Sequence, residues 1–138
     1  LHVLSIKIKE GEFLINKEII IKLVLSVCDN LPCPSCASHA RGYLKKINFI
    51  NIKTKEHLII SIWSMHNEVN KANKKPSYDY DKLINSYQDY NFEKCAIKFF
   101  KAIKQMNYGD KMMIYSFQRR QFIKKYVPII REHLYWFD

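Results

Sequence analysis

A chain of 138 residues is long enough for one domain, or one domain and an appendage, and 48% hydrophobic residues suffice to build a core. With 3 glycines and 4 prolines, turn-dense β architectures and Gly-rich nucleotide loops are excluded. The formal net charge of +10 is carried by 19 lysines against 4 arginines, dispersed along the chain, so neither nucleic acid nor a membrane surface is an expected partner.

The basic surplus is densest at the end: residues 1–90 hold 13 Lys and Arg against 9 Asp and Glu, residues 91–138 hold 10 against 4. Abundant Lys, Ile and Asn are the mark of an A/T-rich coding sequence. No apolar run reaches the roughly 20 residues of a membrane-spanning helix; the longest, 19–27, is interrupted by Lys22. No secretory leader is visible, and Leu1 already lies within a helical pattern, so the native N-terminus is expected upstream.

Residues 1–9 read as the tail of a first helix, broken at Gly11. Asn16 predicts an N-cap for a second helix over 17–30, with Ile19, Ile20, Leu23, Val24 and Val27 facing the core. Leu31-Pro32 ends it. A third helix runs from near Cys33 to about Lys46, and 47–53 connects it to a fourth, capped by Thr54, that reaches about Lys74 before Pro76. Asp79 or Asp81 opens a short fifth helix to about Tyr90. Helical patterns follow at 92–106 and 110–126, then Pro128 and a last amphipathic turn or two. The fold class is all-α, with short connections between antiparallel neighbours.

Cys33-Pro34-Ser35-Cys36 stands where the third helix begins. Two cysteines at this spacing can close a disulfide, and the positive end of a helix favours a thiolate, the nucleophile of disulfide exchange. Cys28, Cys33, Cys36 and His39 also offer four zinc ligands at short spacing, so a zinc-binding or basic interaction module is an equal reading of the pair alone. A thioredoxin-like module needs βαβ flanks, which are absent, so a redox pair here needs another electron acceptor.

On the fourth helix, Leu58, Ile62, Met65 and Val69 form a core stripe. Trp63, His66, Asn67 and Asn70 form a second stripe beside it. Its rings and amides suit a flat, hydrogen-bonding aromatic ligand, but on these residues alone a polar face around a buried Trp is the stronger reading.

Leu31-Pro32-Cys33-Pro34-Ser35-Cys36, then His39-Ala40, His66-Asn67-Glu68-Val69-Asn70 and Lys75-Pro76, in this order and spacing, resemble the Erv/ALR family of FAD-linked sulfhydryl oxidases over about residues 1–90. The Leu-Pro-Cys-x-x-Cys-x-x-His-Ala form is similar to those encoded by large cytoplasmic DNA viruses. The resemblance implies a four-helix bundle plus a short fifth helix holding FAD, usually as a homodimer, with 91–138 as a helical C-terminal extension of its own.

It also implies that Cys36 lies against the flavin and that Cys33 exchanges with the incoming dithiol. His2, Trp63, His66, Asn67, Val69, Asn70, Lys75 and Tyr87 become FAD contacts. No metal is implied. Thiol-containing proteins would be oxidised, directly or through a redox relay protein, and molecular oxygen reduced to hydrogen peroxide. The expected setting is the host cytoplasm or viral factory, or the virion.

Three features depart from the pattern: the family's Trp-rich segment upstream of Leu-His is absent from the sequence, which begins at Leu1, Leu31 replaces a commoner Tyr, and Tyr80 stands where a cysteine often does. Cys28 and Cys95 are expected to pack rather than relay electrons. In the extension, Phe99, Phe100, Ile103, Met113, Phe117 and Ile123 pad the bundle or dock a partner, and the closing Leu134-Tyr135-Trp136-Phe137 reads as an aromatic core contact.

Overall fold

The computed structural model describes residues 1–106 and 113–138. Within them the chain runs α1 (His2–Lys7), α2 (Glu10–Asp29), α3 (Pro34–Lys46), α4 (Lys55–Ala72), α5 (Tyr80–Tyr87), α6 (Phe92–Gln105) and α7 (Met113–Glu132), with 3-10 turns at Phe49–Asn51 and Leu134–Trp136. The all-α expectation holds. Several helix starts follow from side chains that accept an orphaned backbone N–H. Thr54 takes that of His57 at 3.1 Å, Asp79 that of Lys82 at 3.0 Å, and Asn91 that of Lys94 at 2.9 Å.

Helices α1 to α4 form the bundle: α1 and α3 both lie on α4, and α2 packs on α3. Helix α5 leans on α1. The α6–α7 pair docks on α1 through α6. One hydrophobic cluster runs through all of this, from Val3 and Phe13 through Leu58 and Ile62 to Phe92, Phe122 and Trp136. Among the described residues no helix is long and apolar enough to cross a membrane.

The second helix departs from expectation. It begins at Glu10, and Gly11 sits inside it. The break falls earlier, at Ile8–Lys9, because the backbone there extends to pair with the chain's end. Ile8 bridges Phe137, Lys9 N–H donates to the Trp136 carbonyl at 2.8 Å, and Asp138 N–H donates to the Lys7 carbonyl at 2.9 Å. Asn16 is not a cap but a kink within the helix, at φ −105° and ψ 18°, where its amide donates to the Glu12 carbonyl at 3.1 Å. Ile19 is 39% exposed, on the flank of a stripe that Ile20, Leu23, Val24 and Val27 already fill.

Other boundaries shift by a few residues. Helix α4 ends at Ala72, where Lys74 turns left-handed (φ 55°) and Lys75 N–H returns to the Asn70 carbonyl at 2.8 Å. Helix α5 ends at Tyr87. Pro128 does not stop α7 but lies inside it. Its missing N–H orphans the carbonyl of exposed Lys124, which water can satisfy, while buried Tyr126 and Ile130 hold the helix down on either side. The first part of the helical pattern expected at 110–126 lies outside the described residues.

The extension is anchored by aromatic packing. Phe92 stacks on Phe137 with centroids 3.6 Å apart, and Tyr126 Oη lies 2.8 Å from Ser26 Oγ and donates to the Lys22 carbonyl at 3.3 Å. Trp136 and Phe137 are buried as a core contact, whereas Tyr135, expected to share it, is 59% exposed and Leu134 is half-buried. Ile103 is buried, and Phe99, Phe100 and Ile123 pack half-buried on the cluster. Met113 and Phe117 remain exposed. Because one core spans both parts, Phe92→Ala should destabilise the whole protein by about 3–5 kcal/mol. A chemical-denaturation curve should show one transition at lower denaturant, not early loss of α6 and α7 alone.

Candidate active site

The thiol pair is built by the turn from α2 into α3. Cys33 is extended (φ −97°, ψ 113°) and is the N-cap residue, and Pro34 occupies the first helical turn, where its missing N–H costs nothing. Cys33 Sγ accepts the Cys36 N–H at 3.3 Å and lies 3.0 Å from Ser35 Oγ. A sulfur that caps a helix is stabilised as a thiolate. The Cys36 thiol, foremost, and then the Ser35 hydroxyl bring Cys33 down to about 7. The same contact with Cys33, and then burial, raises Cys36. The pair is thus electronically unequal, with Cys33 the ready thiolate.

The other candidate thiols lie elsewhere. Cys28 is fully buried, donates to Met65 Sδ at 3.8 Å, and is pushed up to about 12 by burial. Cys95 is half-buried on α6. His39 is exposed on α3. Among the described residues no three His, Cys, Asp or Glu side chains gather as a metal would require. The zinc reading of Cys28, Cys33, Cys36 and His39 therefore has no ligand cluster to rest on, since Cys28 points into the core.

Two cavities meet beside the pair. One, of about 370 Å³, is lined by Cys33 and Cys36, by apolar Leu31, Pro32, Ile62, Met65, Val69 and Phe99, and by His2 and His66. The other, of about 210 Å³, is lined by the same two histidines with Trp63, Asn67, Asn70, Tyr78, Leu83 and Tyr87. The histidines form the partition. His2 Nε2 and His66 Nδ1 are 2.8 Å apart, the rings lie within 12° of parallel, and Tyr87 sits 5.3 Å from His2. Burial, above all, brings His2 down to about 3 and also lowers His66, with the charge of Lys75 adding to the latter. Both rings are neutral near pH 7, so one nitrogen of the pair donates and the other accepts. His2 Nδ1 is left buried without a partner.

The second stripe of α4 does two jobs. Trp63 Nε1–H donates to the Tyr78 carbonyl at 2.7 Å, and Asn67 brackets the same residue, donating to its carbonyl at 3.1 Å and accepting its N–H at 2.8 Å. These polar atoms are committed to holding the loop before α5, while both residues also line the cavity. His66 and Asn70 line it as well. Val69 belongs to the thiol cavity. Lys75 lines neither cavity, but its backbone is tied to Asn70 and its charge reaches His66. Sequence reasoning did not single out Tyr78, Leu83 or the cavity position of Phe99. The first two sit in a loop and a short helix with no motif, and Phe99 looks like any apolar helix residue.

The sequence pattern of the Erv1 / Alr family matches residues 1–91. Nothing among curated proteins or solved structures matches the chain significantly. The matched segment holds α1 to α5, the thiol pair and every candidate cofactor contact from His2 to Tyr87. The chain belongs to the Erv1 / Alr family, whose members are FAD-linked sulfhydryl oxidases.

Proposed function

We propose that this chain binds FAD across the two adjoining cavities and oxidises pairs of protein thiols to disulfides, with molecular oxygen as final acceptor and hydrogen peroxide as product. The observation that carries it is a helix-capping thiol pair on an apolar cavity that shares the His2–His66 wall with a second cavity lined by rings and amides. The residues fit such a cofactor. A flavin needs an apolar slot for its ring system and a mixed slot for its nucleotide end. The buried, unpartnered Nδ1 of His2 is a hydrogen-bonding group that a ligand would satisfy. Cys36, Met65 and Val69 would border the ring system; His2, His66, Asn70, Trp63 and Tyr87 would hold the nucleotide side, with Asn67 fixing the rim and Lys75 lending positive charge.

When bound, FAD supplies the two-electron acceptor that reoxidises the thiol pair and passes the electrons to oxygen. The chain's own part is thiol–disulfide exchange. A substrate thiolate attacks Cys33 Sγ of the oxidised pair; the new mixed disulfide forms as the Cys33–Cys36 bond breaks and Cys36 leaves as a thiolate. A second substrate thiolate then attacks the substrate sulfur, closing the product disulfide and releasing Cys33. A leaving thiol of low pKa departs faster, which suits Cys33 to this end of the exchange. Two electrons have then moved from substrate to the pair. Cys28, buried and held as a thiol, takes no part.

We further infer that residues 1–90 act as the oxidase domain and 91–138 as its extension. Leu14, Ile15 and Ile19, exposed together on α2, support a homodimer. The Leu31-Pro32-Cys33-x-x-Cys36-x-x-His39-Ala40 form supports a viral setting: the host cytoplasm, viral factory or virion. Substrate proteins there would be reached directly or through a redox relay protein.

Cys33→Ser and Cys36→Ser should each abolish dithiol oxidation, read as oxygen uptake, while flavin absorbance stays; turnover by either mutant refutes the exchange chemistry. His66→Ala with Asn70→Ala should lose flavin on gel filtration. It should also lose most of the stabilisation added FAD gives, about 2.7 kcal/mol at a hundredfold excess over Kd; full occupancy would count against this face. In the reduced protein, alkylation of Cys33 should rise with pH through a midpoint near 7. Ser35→Ala should move that midpoint upward, because a hydrogen bond to the thiolate is lost.

A further inference from the structure

Phe99 lies outside the segment that matches the family, yet it lines the cavity that holds Cys33 and Cys36. Helix α6 carries it there. That helix packs on α1, and its two ends are fixed in the core by buried Phe92 and Ile103. The Phe99 ring is held edge-on by Phe100, 5.3 Å away at 67°, and by Phe122, 6.4 Å away at 87°. Behind them Phe122 meets Tyr126 at 5.2 Å, and Tyr126 is bonded to α2 through Ser26 and Lys22. A line of aromatic contacts thus runs from the bundle through α7 and ends at the cavity wall. Neighbouring Phe100 shares this support but borders other cavities, not the one with the thiols.

A half-buried aromatic ring on a cavity of about 370 Å³ lacks packing partners on that side. The dispersion contacts it forgoes are recovered only when something of matching character fills the space. The lining limits what that is. Apart from the two thiols and two histidines it is apolar, so water is a poor occupant and a flat aromatic ring system a good one. We propose that Phe99 is a cofactor-contacting residue: the extension supplies an aromatic wall to the flavin cavity and screens the ring system from water. This rests on the flavin reading above. It makes residues 91–138 part of the binding site.

The test uses the full chain, stripped of flavin and titrated with FAD, with collisional quenching of bound-flavin fluorescence by iodide as a second readout. Phe99→Ala should weaken FAD binding by about tenfold and raise iodide access. Phe99→Leu, which keeps most of the packing volume, should fall between it and the parent, and it decides the matter if the alanine variant does not fold. Phe100→Ala should lower the melting temperature of the flavin-free protein and weaken FAD binding less than Phe99→Ala does, because Phe100 supports the ring without lining the thiol cavity. If the Phe99 variants bind FAD as the parent does, with equal iodide access, the wall is overturned while the flavin reading stands. If Phe100→Ala weakens FAD as much as Phe99→Ala, loss of general packing replaces contact as the cause, and the proposal fails. A parent chain that neither retains nor takes up FAD removes the flavin reading itself.

Discussion

The hydrogen bond between His2 and His66 is the point on which the site depends. It joins α1 to α4 at 2.8 Å where the two cavities meet. It forms only while both rings are neutral or one is, because two imidazolium rings at that distance would repel and offer no acceptor. Burial keeps them neutral. Every other lining group is placed by reference to this partition. Tyr87 leans on His2 from α5, the thiol pair lies to one side, and the Trp63–Asn67 face lies to the other.

The position of His2 depends in turn on contacts far along the chain. Helix α1 is short and has no side-chain cap. What orders it is tertiary: α4 on one side, α6 on another, and at its end the pairing of Lys7–Lys9 with Trp136–Asp138. A six-residue helix would not persist alone in water. The extension is therefore bound up with the geometry of the candidate site through α1, quite apart from any direct contact by Phe99.

These dependencies explain what the sequence disclosed. Local chemistry was legible: Thr54 and Asp79 as caps, Cys33 at a helix start, the α4 stripes by their 100° spacing. The histidine pair was legible only in part, since the resemblance pointed to both residues as ligand contacts while nothing in the spacing said that they touch. The break at Ile8 was not legible, because a bridge to Phe137 causes it and no local signal marks it. Gly11 misled for the complementary reason. A Cβ there would meet nothing within 4 Å, so the helix simply carries a glycine at the ordinary cost of about 1 kcal/mol relative to Ala. Asn16 marked a real irregularity, a kink rather than a start. Phe99 was read as padding because amphipathic spacing cannot distinguish a core position from a cavity wall.

The clamp on Tyr78 bears on how the second cavity is prepared for an occupant. Trp63 and Asn67 tie that backbone down with three hydrogen bonds, at 2.7, 3.1 and 2.8 Å, so the rim of the second cavity is ordered before any ligand arrives. A preformed rim surrenders little conformational entropy on binding. The three bonds are solvent-exposed, so the rim is held by their number and not by burial. A molecule entering that cavity would meet a rim already shaped for it, and less of its binding free energy would go into ordering the loop.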